Sequence, residues 1–135
     1  LSKGFDATGL SAWLGGVLAE VAGSSLTAFV ALASLGGTFG TEVMSNTALA
    51  NILMPILAST AEQAAIDPRA LVWPVALACS CAFMMPAATG PNAIVFGTGR
   101  IRIIEMVRAG FLTNWLAWAV IVMAAIFRFA VLRGG

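Results

Sequence analysis

Apolar residues fill most of this chain in long runs, and the polar positions between them are few enough to take group by group. Residues 24–39 hold no charge, residues 48–61 carry only Asn51, Ser59 and Thr60 as strongly polar positions, and two further apolar runs cover 70–85 and 109–127. Ahead of them, Leu10, Trp13, Leu14, Val17, Leu18 and Val21 recur at helical spacing, with Ser11, Gly15, Gly16 and Glu20 largely opposite. That pattern predicts an amphipathic helix over 10–23, too short to span a bilayer. It reads either as an interfacial helix with Trp13 at headgroup depth or as an ordinary packed helix end.

Between the first two runs sits the polar knot Thr41-Glu42-Val43-Met44-Ser45-Asn46-Thr47. A carboxylate, an amide and several hydroxyls are expensive in hydrocarbon unless they face protein or water. A surface loop between two spanning helices would satisfy them. The flanking runs are only about 16 and about 14 residues, however, against the ~20 needed to cross. The lengths therefore favour a re-entrant helical hairpin over 24–65. Gly36 and Gly40 in its first arm form a small-xxx-small pair suited to close backbone approach. Ser45, Asn46 or Thr47 can cap the second arm, and Pro55 should bend it.

The connection Glu62-Gln63-Ala64-Ala65-Ile66-Asp67-Pro68-Arg69 is hydrophilic and reads as a membrane-surface loop. Beyond it, Pro86-Ala87-Ala88-Thr89-Gly90-Pro91-Asn92 packs two prolines and a glycine into seven residues. A continuous helix does not accommodate that, so residues 69–99 are expected as one transmembrane helix broken at Pro86 into two halves. A terminal transmembrane helix follows over 106–130, with Trp115 and Trp118 in its first half and Arg128 and Arg133 at its far end. Arg100, Arg102 and Arg108 make residues 97–108 the best candidate for the cytoplasmic side.

Composition agrees with this picture. The chain has 135 residues, 60% hydrophobic and 10% charged, with a mean hydropathy of +0.96. Soluble domains carry ~25% charged residues, so the expected class is all-α integral membrane, multi-pass, in the cell (inner) membrane. A net charge of +1 gives no purchase on a nucleic acid, and the absence of His removes the usual proton shuttle and zinc ligand. Cys79 and Cys81 with Met84 and Met85 suggest helix packing rather than a soft-metal site, because thiols two positions apart on a helix point to different faces. Gly97-Thr98-Gly99 lacks the remaining marks of a dinucleotide fingerprint. The opening Leu1-Ser2-Lys3-Gly4 has neither an initiator Met nor a signal peptide, which suggests a piece of a longer protein.

The two helix breaks carry the candidate chemistry. Each offers free carbonyls at the end of one half-helix and free amides at the start of the next. Carbonyls with Thr, Ser and Asn oxygens suit a hard cation such as sodium. The amides, with Asn46 and Thr47, suit carboxylate or sulfate oxygens. With no Arg or Lys in either break, anion and cation binding should support each other. Glu42 reads as a structural carboxylate bonded to arm-end amides. A channel subunit with a re-entrant hairpin fits the same pattern; a membrane-embedded hydrolase fits less well, since Ser45 has no base nearby in sequence. No catalytic residue is expected.

Thr41-Glu42 followed by Ser45-Asn46-Thr47, then the stretch from Cys81 through Pro86-Ala87-Ala88-Thr89-Gly90-Pro91-Asn92 to Gly97, closely resembles the divalent anion/sodium symporter family. The resemblance covers nearly the whole chain and implies the C-terminal half of a transport domain, half of an inverted-repeat elevator transporter. It implies sodium-coupled symport of a dicarboxylate such as succinate, a tricarboxylate such as citrate, or sulfate. By the same resemblance, sodium would be held by Thr41, the backbone at Met44, Asn46 and the backbone at Ala88. Asn46, Thr47, Thr89 and Gly90 would line one side of the anion site. The implied partners are the missing N-terminal half, the lipid bilayer and, in the full-length protein, a second copy in a homodimer. The family usually has Pro where this chain has Gly90, which leaves the backbone there more flexible.

Overall fold

The structure is a computed structural model and describes residues 25–63 and 66–133, together with residue 16. Apart from that single residue, the amphipathic helix expected over 10–23 lies outside the described residues. Among the described residues the fold is all-helical, with five helices and no strand: α1 (Leu26–Gly40), α2 (Asn46–Gln63), α3 (Pro68–Ala78), α4 (Gly90–Gly97) and α5 (Ile103–Arg133).

Each start is set by a local side chain. Ser25 caps α1 by accepting from the Ala28 amide at 3.1 Å, and Asp67 accepts from the Arg69 amide at 2.9 Å ahead of Pro68. These groups satisfy donors that a helix leaves without intrahelical partners. At α5, Glu105 reaches back to the Arg102 amide at 2.9 Å and pairs with its guanidinium at 2.7 Å. α5 is long and apolar enough to cross a membrane over Ile103–Val131, starting earlier and ending later than the expected 106–130.

α1 and α2 each pack more on α3 than on one another, and α5 covers α1 and α3. The core between them is built from Phe29, Val30, Leu57, Leu71 and Val75, all at most 1% exposed. The Trp118 indole donates to the Ala31 carbonyl at 2.8 Å, tying α5 to the middle of α1. α4 contributes no buried residue, and its Ile94 is 74% exposed.

Two expectations need correction. The broken helix does not run to Met85 and break at Pro86. α3 ends at Ala78, and the non-helical segment occupies residues 79–89, with Pro91 inside the first turn of α4. Cys81 is therefore not on a helix, while Cys79 caps α3 and is buried in the core. The close approach on α1 also falls one residue away from the expected pair. A Cβ on Gly36 would meet nothing within 4 Å, whereas one on Gly37 would lie 3.2 Å from Ala78 Cβ. Gly40 does face a neighbour, but it is a side chain, Leu49, at 3.0 Å.

Candidate functional site

The polar knot begins where α1 runs out. Thr41 caps α1, its amide donating to the Gly37 carbonyl at 3.1 Å. Residues 42–44 continue as turns, with Val43 and Met44 amides both on the Gly40 carbonyl at 3.2 Å. Ser45 then accepts from the Ala48 amide at 3.1 Å and so caps α2. Of the three hydroxyl and amide residues that qualified as the cap, Ser45 takes the role. Asn46 and Thr47 become the first turn of α2, where backbone amides have no intrahelical acceptor.

Thr41 and Glu42 reach from this knot into the second break. The fully buried Thr41 hydroxyl lies against Asn46 Oδ1 and also 2.9 Å from the Cys79 carbonyl. A hydroxyl has one hydrogen to give. As placed, three oxygens therefore converge around a single proton, and at least one oxygen-to-oxygen approach has no hydrogen between its partners unless the Asn46 amide is turned over. A hard cation resolves such a cluster without that turn. Asn46 and Thr41 were expected as sodium ligands from the sequence and are brought together here. The Cys79 carbonyl was missed, because its availability depends on α3 ending there. Met44 and Ala88 are half-buried, one in each break, and no hydrogen bond joins either to the pair.

Glu42 is 9% exposed and accepts four hydrogen bonds. Phe83 and Met84 amides donate to Oε1 at 2.8 and 2.9 Å, the Met85 amide to Oε2 at 3.0 Å, and Asn114 Nδ2 to Oε1 at 2.7 Å. Three successive amides on one carboxylate hold residues 83–85 out of the helix that their side chains would allow. The expected structural role for Glu42 fits this arrangement, except that the amides belong to the other break rather than to the arm ends. Asn114 was missed altogether, although an amide in the middle of the last apolar run was a visible signal.

The rest of the second break is tied from within. Asn92 Nδ2 donates to the Ala82 carbonyl at 2.9 Å and the Met85 carbonyl at 3.1 Å. Thr89 caps α4, its hydroxyl oxygen accepting from the Asn92 amide at 3.3 Å, which leaves its hydroxyl hydrogen to donate elsewhere. Pro91 has no N–H, so Gly90 supplies the one uncommitted amide of this first turn. Gly90 is exposed, and a Cβ there would meet nothing within 4 Å. Thr47 is exposed as well. The bonds joining the two breaks run through Thr41, Glu42, Cys79 and residues 83–85; none joins residues 45–47 directly to Thr89, Gly90 or Pro91.

The chain matches the family described as the sodium:sulfate symporter transmembrane region over residues 1–133. It is 42% identical over 127 residues to the sodium-dependent dicarboxylate transporter SdcS of Staphylococcus saprophyticus, covering 94% of this chain and 24% of that protein. The transporter of the same name from Staphylococcus aureus strain USA300 is 37% identical over 134 residues, 99% of this chain and 26% of that one. The chain thus spans about a quarter of the length of these relatives.

Proposed function

The chain belongs to the sodium:sulfate symporter transmembrane family, and from that membership we propose that it is part of a transporter moving a divalent anion, a dicarboxylate, citrate or sulfate, together with sodium. The observation that carries the reading is the set of oxygens around Thr41: its hydroxyl, Asn46 Oδ1 and the Cys79 carbonyl, all in or beside helix breaks. Sodium would be held by Thr41, Asn46, the Cys79 carbonyl and the backbone oxygens of Met44 and Ala88. The anion would take the amides of Asn46, Thr47 and Gly90, with the hydroxyls of Thr47 and Thr89 turned toward it. Those amides end two helix dipoles, which favour negative charge. Neither break contains Arg or Lys, so the cation supplies the positive charge that the side chains do not.

In this reading α1 and α2 form a re-entrant hairpin, and α3 and α4 are the halves of a broken transmembrane helix. An N-terminal half of inverted topology completes the transport domain in the cell membrane, and the domain moves as an elevator within a homodimer. The relatives are about four times as long as this chain, which leaves room for such a half. The weakly packed α4 supplies a surface for it to cover.

The test is uptake by the full-length protein in proteoliposomes under an inward sodium gradient, with labelled succinate and sulfate offered separately. Accumulation of one of them that saturates and disappears when choline replaces sodium is the expected result. Flux that neither saturates nor depends on sodium would favour a channel and overturn the proposal.

A further inference from the structure

Asn114 sits near the middle of α5, fully buried, and its amide is only half used. Nδ2 donates to Glu42, while Oδ1 has no hydrogen-bond partner. An unpaired amide oxygen in a dry interior is costly, and a leucine at the same position would avoid that cost. What the amide contributes in return is its bond to the carboxylate. One turn earlier on the same face, Gly110 admits the backbone of the second break. A Cβ there would fall 2.6 Å from Met84 Cα and nearer still to the Phe83 carbonyl. α5 therefore meets residues 83–85 twice, by direct backbone contact at Gly110 and through the Glu42 carboxylate at Asn114.

We propose that Asn114 is a positioning residue for the ion site: by fixing Glu42 on residues 83–85, it sets where the neighbouring Thr41 meets the Cys79 carbonyl. The relay is short. Asn114 holds Glu42, Glu42 holds three amides of the break, and Thr41, next in the chain, holds the carbonyl four residues before the first of them. Asn114 itself touches no proposed ligand. The inference rests on reading Thr41 and Asn46 as sodium ligands.

Asn114→Leu in the full-length protein should raise the sodium concentration for half-maximal uptake roughly tenfold to a hundredfold, the range expected when a bond to a charged group is lost, while the order of preferred anions stays the same. The maximal rate at saturating sodium gives a readout that separates positioning from packing. Loss of folded protein lowers that rate and leaves the half-saturating sodium concentration where it was, whereas a displaced ion site raises the half-saturating concentration and leaves the rate per folded molecule within about threefold of the wild type. Asn114→Gln keeps an amide donor for the Glu42 carboxylate and should bring the sodium requirement back to within about threefold of the wild type.

A wild-type sodium dependence for Asn114→Leu, or a sodium requirement for Asn114→Gln as high as for Asn114→Leu, overturns the proposal. Should neither variant assemble, Asn114→Ser is read by amide hydrogen exchange. Exchange at residues 83–85 should rise about tenfold relative to the middle of α2, and unchanged exchange there counts against the proposal equally. If the wild type shows no sodium-dependent uptake, the transport reading fails, while the exchange measurement still decides whether Asn114 positions the segment.

Discussion

Three glycines on the helices around the site should respond to the same substitution in three different ways. Alanine at Gly36 meets nothing within 4 Å, so the change brings only the helix-propensity gain of about 0.5–1 kcal/mol. At Gly37 the new methyl would lie 3.2 Å from Ala78 Cβ. A shift of a few tenths of an ångström relieves it, and gain and cost nearly cancel. At Gly110 the methyl would fall 2.6 Å from Met84 Cα, against about 3.5–4.0 Å for relaxed carbon contacts, so α5 must back away by about 1 Å. Overpacking of that kind costs about 1–3 kcal/mol. The same displacement stretches the 2.7 Å bond from Asn114 to Glu42 out of hydrogen-bonding range, at a further cost of about 1.5–3 kcal/mol. After the propensity gain, Gly110→Ala should be destabilised by about 2–5 kcal/mol. Thermal unfolding of the full-length protein in detergent should rank Gly36→Ala at or above wild type, Gly37→Ala near it and Gly110→Ala clearly below. A Gly110→Ala protein as stable as Gly36→Ala would show that α5 does not seat on the second break as described.

Thr41→Ala removes a proposed sodium oxygen and should raise the sodium requirement of uptake while leaving the anion range unchanged; a normal sodium curve with altered anion preference would reverse the assignment. Thr47→Ala removes a proposed donor to the anion, and its first effect should be a loss of substrate affinity of roughly tenfold to a hundredfold. Because the two ligands are linked, each variant should show a smaller effect of the same sign on the other ligand, read from uptake against sodium at several substrate concentrations. Asn92→Ala releases the Ala82 and Met85 carbonyls together. It should raise amide exchange across residues 79–89 by about tenfold or more while leaving the core of α2 protected, an expectation that unchanged exchange in the break would refute.

The first break was readable from residue types, and the second was readable only in part, for a physical reason. Residues 41–45 leave the helix where a run of glycines gives way to Thr41-Glu42 and Ser45 offers a cap, so the signals are local. Residues 79–85, Cys-Ser-Cys-Ala-Phe-Met-Met, contain no breaker, and nothing in their own propensities ends α3 at Ala78. What unwinds them comes from elsewhere in the chain: the Glu42 carboxylate on three amides, the Thr41 hydroxyl on the Cys79 carbonyl, and Asn92 on two carbonyls. Pro86, Gly90 and Pro91 punctuate the segment, but they mark its far side. Tertiary bonds overrode local preference, and the partner that holds Glu42 from α5, Asn114, lies 72 residues away in the chain. The one-residue error between Gly36 and Gly37 has a similar origin, since glycine spacing identifies a helix capable of close approach but not which of its faces meets α3.

The charge inventory of the two breaks bears on how the proposed ligands cooperate. Between them, residues 41–47 and 79–92 hold a single formally charged side chain, Glu42, which is acidic. Among the described residues its partners are three backbone amides and one side-chain amide, all neutral dipoles, and no basic side chain pairs with it. A dianion approaching the first turns of α2 and α4 would feel favourable helix dipoles but also this carboxylate in the first break. A cation seated among the Thr41, Asn46 and Cys79 oxygens stands one residue from Glu42 in the chain and is attracted by it. Bound there, it offsets the repulsion of the incoming anion. Coupling between sodium and anion then needs no large movement at the site. In the proposed assignment it follows from placing the one carboxylate of the two breaks beside the cation's oxygens and leaving the anion's donors uncharged.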